Sequence, residues 1–428
     1  MKIYSIAKPE DLLHANLVRL RRTLSEDAAN YMRMAEGCVD PSFVTAVNHA
    51  CETADDEPSV RAWSHTMDRL RPFLQGVDAV PNSSAVGHLE ADSPRSARLL
   101  ELLGWEICAA VLPSEGDATL TLPSAPPRIL PVGRRGSVIL DSMWPTAETW
   151  TLQLRDNSIE LRRSQTYTKS EDSGWISPLL LQGHGIDAVI PLHQPSLTNR
   201  DFQDFPIVRS QAYAVHWGAR VISAADALAQ YSLWAGSLTR AFVRSILPLV
   251  CGDHAIGSAS RESALGLVFL PSTEALDQLA ECLLHEAMHQ YLFRIEECGS
   301  VFTDATPIEE AFYSPWRSDP RPLRMTLHGA FVFAAVADLY LWPLAPSALG
   351  ISASECHRRA YHRSEQVRVA LEIVRRHGTL TRFGEVVANA VEADIATIRD
   401  RVAPSGVDRE AVDSTIATHL ERYSEYVR

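Results

Sequence analysis

Apolar and polar positions along this chain follow two periods, and the switches between them mark out its parts. Over residues 8–70 apolar side chains recur at helical spacing, through 10–20, around 44–51 and over 60–70, with acidic 55–58 as a break. A Pro-, Asn-, Ser- and Gly-rich stretch at 76–93 reads as a loop, and 94–110 as a further helix. From 117 to 215 the period falls to two. Short alternating or β-rich runs occupy 118–122, 137–140, 150–154, 158–161 and 188–192, separated by turn residues. The proline-rich segment 123–131 suits neither a helix nor a central strand.

Helical spacing returns over 220–250. A Gly- and Ser-rich stretch then leads through the apolar run 265–270, which reads as a short strand, into a long helix that starts at 271–274 and stops at Gly299. Pro315, Pro320 and Pro322 forbid a helix between 309 and 322. The segment 323–342 is apolar nearly all round, which predicts a buried helix packed against the preceding one. Residues 353–377, 380–403 and 408–426 read as amphipathic helices. The expected fold is α+β and predominantly helical. It comprises an N-terminal helical region (1–115), a β-rich middle (116–218) and a helical region (219–428).

The helix after Pro271 carries the chemistry, as His285-Glu286-Ala287-Met288-His289. Residues four apart on a helix lie one above the other, so the two imidazoles can close on a single metal ion. Glu286 points about 100° round the helix, where it borders that ion. The pattern, with a short strand before it, fits a zincin-like core in which an edge strand can hold an extended peptide. A catalytic site needs a third protein ligand and open positions. Glu296 and Glu297 lie about 10–12 Å further along the same helix, out of reach of the ion. His328, alone in an apolar helix and followed by Gly329, is the leading candidate, with Glu309 or Glu310 as alternatives. Asp338 lies about 15 Å from His328 along the helix and cannot share its ion. His254, in the Gly-rich loop, is a weaker candidate for lining the site, whereas His14, His49 and His65 share no ligand spacing.

Composition narrows the partners. The 428 residues are 46% apolar and 22% charged, an ordinary globular balance. A formal charge of -13 argues against a nucleic-acid or anionic-membrane surface. Seven cysteines without a CxxC pair argue against a disulfide framework. With no apolar run of 18 residues and no signal-like start, the chain reads as soluble and cytoplasmic.

Three segments carry a resemblance: Leu283-Leu-His-Glu-Ala-Met-His289, Phe312-Tyr-Ser-Pro-Trp-Arg-Ser-Asp-Pro-Arg-Pro-Leu323, and Leu327-His-Gly-Ala-Phe-Val-Phe-Ala-Ala-Val-Ala-Asp-Leu-Tyr340. Over roughly 255–345 the chain resembles the HExxH-type peptide-modification proteins of bacterial peptide natural-product clusters, a family described as 2-oxoglutarate-dependent peptide β-hydroxylases. Ala287-Met288 departs from the aromatic expected after the glutamate. The resemblance implies Fe(II) in place of zinc, 2-oxoglutarate as cosubstrate, and a ribosomally made precursor peptide as substrate. Three protein ligands would leave two positions for the keto acid and one for O2. Arg317 and Arg321 would supply the fork-shaped cation for its distal carboxylate. Tyr313, Trp316 and Trp144 are weaker candidates, for lining a substrate groove. In the alternative, a zinc metallopeptidase, Glu286 would take a proton from metal-bound water.

Overall fold

The computed structural model describes residues 118–122, 129–132, 136–140, 150–155, 158–163, 166–168, 173–176, 179–190, 211–249, 257–260, 262, 266–297, 299–307 and 310–423, with Lys2, Ile3, Ile6, Lys8, Thr45, Ala46 and Cys108. Of the helices expected over 8–70 and 94–110 only Lys8, Thr45, Ala46 and Cys108 are described, and His14, His49 and His65 lie outside the described residues, as do Trp144, His254 and Glu309. The chain divides into two compact units. One is Leu17–Leu179 with Pro191–Pro206, and the other is Met1–Asn16, Leu180–Ile190 and Ile207–Arg428. The protein is mostly helical with a small mixed sheet, an α+β arrangement.

The first unit contains strands β1 (Ala118–Leu122), β2 (Ile129–Val132), β3 (Gly136–Leu140), β4 (Trp150–Arg155), β5 (Ser158–Arg163), β6 (Thr166–Thr168) and β7 (Ser173–Ile176). They form two antiparallel sheets, ordered β1-β4-β5-β6 and β2-β3-β7. Alternation finds β1, β3, β4 and β5. Pro131 lies in β2, an edge strand, where a residue with no N–H to donate is tolerated.

In the second unit, β8 (Leu179–Gln182) and β9 (Asp187–Ile190) precede helices α1 (Gln211–Tyr231) and α2 (Leu233–Phe242). The helical reading of 220–250 fails at its two breaks. Ser232 ends α1 and caps α2 by accepting a hydrogen bond from the Ala235 amide. Ser245–Leu249 is strand β10, held between β9 and β12 (Leu267–Pro271) by parallel pairing. Its interior is buried, so its sequence is a plain apolar run with no alternation to reveal it. The apolar run before the motif helix is strand as expected. It is not an edge, because β11 (Ala259–Ser260) flanks it in the order β11-β12-β10-β9-β8.

Helix α3 (Leu276–Glu296) follows β12 and touches α1, α2, β11 and β12. A short β13/β14 pair (Ala311–Phe312 with Arg321–Pro322) closes the proline-rich segment. It leads into α4 (Leu323–Tyr340), which packs along α3. The fold ends in α5 (Ala345–Leu349), α6 (Ala353–His377), α7 (Arg382–Val402) and α8 (Arg409–Arg422). Helices α6, α7 and α8 begin at side-chain caps supplied by Ser352, Thr381 and Asp408. Of the 21 residues of α3, 15 are buried, and of the 18 of α4, 13 are buried. The pair is therefore the core of this unit, each fully buried Leu or Phe contributing about 1.5–3 kcal/mol by leaving water. Among the described residues no helix is long and apolar enough to cross a membrane.

Candidate metal centre

The first turn of α3 is not capped as its sequence suggests. Ala275 occupies the N-cap without a side-chain bond, while Thr273 accepts from the Ala275 amide one step earlier. Asp277, favoured in a first turn by the helix dipole, pairs with Arg359 of α6 at 2.8 Å. Two turns further on stand the motif residues. His285 Nε2 and His289 Nε2 lie 3.1 Å apart. Two donors about 2.1 Å from one ion and at right angles to each other are roughly 3 Å apart, so the pair fits two adjacent positions on a divalent metal.

Burial keeps both rings neutral. It pushes His285 down to about 4, with Glu281 opposing and Arg363 assisting, and it holds His289 well below the ordinary range, assisted by His285 and His328. A neutral imidazole is the form that binds a metal. Glu286 is 1% exposed, with Oε1 at 4.0 Å from His285 Nε2. Burial raises its carboxyl to about 7 despite the hydroxyls of Ser258 and Ser260, and Oε2 has no hydrogen-bond partner among the described residues. An orphaned carboxylate oxygen inside a protein calls for a donor or a cation.

His328, fully buried on α4, does come to this cluster, but it forms a row with the motif pair instead of a ring around one point. Its Nδ1 faces His289 Nδ1 at 3.4 Å, and its Nε2 is 3.0 Å from Glu296 Oε2. Among the described residues no three His, Cys, Asp or Glu side chains are arranged to hold a metal. The described side chains thus offer an ion two imidazoles, with the carboxylate of Glu286 beside them and His328 behind, one donor short of the three a catalytic site needs. Glu310 is exposed, and Asp338 is taken by Tyr231 at 2.5 Å and Arg401 at 2.6 Å.

Arg317 and Arg321 both pair with Asp319, at 3.0 and 2.9 Å, on the accessible face of the proline-rich loop. Trp316 turns inward and stacks on Phe333 with centroids 5.1 Å apart, and Phe333 meets the edge of His285 at 4.7 Å. The close approach that Gly329 permits is this indole: a Cβ there would stand 2.6 Å from Trp316 Cζ3. Tyr313 is buried, and its hydroxyl is 2.7 Å from His419 Nδ1 of α8.

Two groups near His285 escape the motif. Glu281 lies one turn before His285 on the same stripe and is gripped by Arg363 at 2.8 Å and by the Tyr340 hydroxyl. Its spacing of four was a readable signal. Arg363, whose guanidinium lies 4.5 Å over the Phe333 ring, comes from α6 with no local mark.

Two outcomes follow. Gly329→Ala displaces the Trp316 ring, at a cost of about 1–3 kcal/mol for an overpacked contact, and shifts tryptophan fluorescence. An unchanged spectrum would mean that the indole does not rest there. The second concerns pH. The unfolded chain binds protons that His285 refuses when folded, so this residue's contribution to stability is lost as pH falls from 6.5 to about 4. Glu286 acts oppositely, holding an extra proton in the folded chain between 4.5 and about 7, so its contribution is lost as pH rises. Glu286→Gln removes only the opposing contribution. The metal-free variant then loses stability more steeply than wild type between pH 6.5 and 4.5, as read by denaturant unfolding, and equal slopes would refute the raised carboxyl.

Against protein-family models and curated protein sequences the chain has no match.

Proposed function

We propose that the protein is a non-haem Fe(II) enzyme that uses O2 and 2-oxoglutarate to hydroxylate a β-carbon in a ribosomally made peptide, its metal helix set in a zincin-like core. The observation that carries the metal is the 3.1 Å separation of two neutral imidazole nitrogens beside a buried, partly orphaned carboxylate. The choice of iron and keto acid rests on the resemblance of 283–289, 312–323 and 327–340. When bound, iron with 2-oxoglutarate supplies the oxidant that places one oxygen atom of O2 in a C–H bond and the other in succinate, with release of CO2.

The chain's own residues do the rest. His285 and His289 hold the ion, and His328, expected as the third donor, instead stands behind His289 with its Nδ1 toward that ring's far nitrogen. Glu286, balanced near neutrality, can hold or release a proton beside the bound group. Trp316 and Phe333 form an apolar wall against His285 that keeps water from that side. The loop bearing Trp316 also bears Arg317 and Arg321. Their exposed pairing with Asp319 is worth no more than about 1 kcal/mol, so either guanidinium can exchange it for the cosubstrate's distal carboxylate.

A zinc metallopeptidase is the second reading, favoured by one observation: a carboxyl near 7 is suited to act as a general base on metal-bound water. Anaerobically purified protein given Fe(II) and 2-oxoglutarate should develop a visible metal-to-ligand charge-transfer band and release succinate in air. Both signals should vanish in His285→Ala and His289→Ala. Zinc-supported peptide cleavage without succinate would establish the peptidase instead. Arg321→Ala should raise the 2-oxoglutarate concentration for half-saturation of the band at least about tenfold, the scale of one lost charge-assisted contact. An unchanged concentration removes Arg321 from the site.

A further inference from the structure

Glu296 stands seven residues beyond His289, two turns on and about 10.5 Å along α3, too far to share an ion with it. The imidazole of His328, brought in by α4, spans that gap. Glu296 Oε2 is 3.0 Å from His328 Nε2, and both carboxylate oxygens are held by Arg324, at 3.1 Å from Nε and 2.5 Å from Nη2. Arg324 is itself anchored to Glu262 at 2.9 Å. The carboxylate side chain is 7% exposed and the imidazole 0%.

We infer that Glu296 is a positioning residue: it fixes the tautomer of His328 and, through it, that of His289. An ionised carboxylate only accepts hydrogen bonds, so the hydrogen between it and His328 sits on Nε2. With its one ring hydrogen on Nε2, His328 carries its lone pair on Nδ1, which faces His289 Nδ1 at 3.4 Å. The hydrogen in that contact is therefore on His289 Nδ1. This leaves the lone pair of His289 on Nε2, directed at His285 Nε2. Every hydrogen in the row points toward Glu296, and the lone-pair end emerges at the motif pair. A carboxylate backing the far nitrogen of an imidazole is the general means of setting which nitrogen binds a cation.

The tautomer assignment stands without any metal, whereas its consequence for metal affinity rests on the reading proposed above. Histidine-selective 15N NMR of the metal-free full chain, with the His328 signals assigned through His328→Gln, should show the His328 proton on Nε2. In Glu296→Gln, whose amide can donate as well as accept, the Nδ1–H form should gain population. Co(II) affinity, read by its absorption bands, should fall roughly 10- to 100-fold, the usual effect of losing such a backing group. Arg324→Gln keeps the carboxylate and removes its anchor, and should move both readouts the same way by less. It preserves the test if Glu296→Gln does not fold. A wild-type His328 protonated on Nδ1 would overturn the inference. So would a Glu296→Gln protein, folded by its melt, with unchanged tautomer or unchanged Co(II) affinity. If wild type binds no Co(II), the metal reading fails while the NMR result still decides the tautomer.

Discussion

The constraint on which this unit depends is that helix α3 is largely buried while carrying Asp277, Glu286, Gln290 and Arg294 inside, with Glu281, His285 and His289 half-buried beside them. A buried polar group without a partner costs about 1–3 kcal/mol, and an unpaired charge far more. Most of these groups are neutral or matched by the surrounding elements, and the Oε2 of Glu286 is the exception at the motif. His285 and His289 are kept neutral by burial. Gln290 accepts the Gly266 amide at 2.7 Å just before β12. Asp277 and Glu281 receive Arg359 and Arg363 from α6.

Helix α4 is the necessary counterpart. Small residues along it, Ala330, Ala334, Ala335 and Ala337, are buried, and they leave room for His328, Phe333 and Tyr340 to reach groups on α3 or the loop before α4. Gly329 does the same for Trp316. Helix α6 then clamps both: Arg359 touches Asp277 and Tyr340, while Gln366 donates to the Pro315 carbonyl at 2.8 Å, beside Trp316. The outermost helix, α8, has one buried residue and meets the site loop through Tyr313 and His419. Order at the centre thus depends on a few directional contacts from elements distant in sequence.

Much of this was readable along the chain. The motif helix, the prolines that end helix formation at 315–322, the apolar helix after them and the three capped helices at the end are set by local periodicity and by residues that cannot continue a helix. Strand β10 was not, because a strand buried on both faces loses its alternation, and its five residues merge into the preceding helical pattern. The exclusion of Glu296 from the ion says nothing of its hydrogen bond to His328. Spacing along one helix measures the distance to an ion but takes no account of a ring inserted by its neighbour.

The sequence alone determined which residues share a stripe of α3, since a spacing of four on a helix is a matter of backbone geometry: Glu281, His285 and His289 were bound to fall together. Only the tertiary structure decided what each of them faces. His328 meets the far nitrogen of His289 through Nδ1 and Glu296 through Nε2. The cation beside Glu281 comes from α6, while Arg317 and Arg321, on the loop between α3 and α4, turn to Asp319. Those pairings are set by how close-packed helices come to rest against one another, and no local pattern encodes the rotation of one helix about its axis relative to the next.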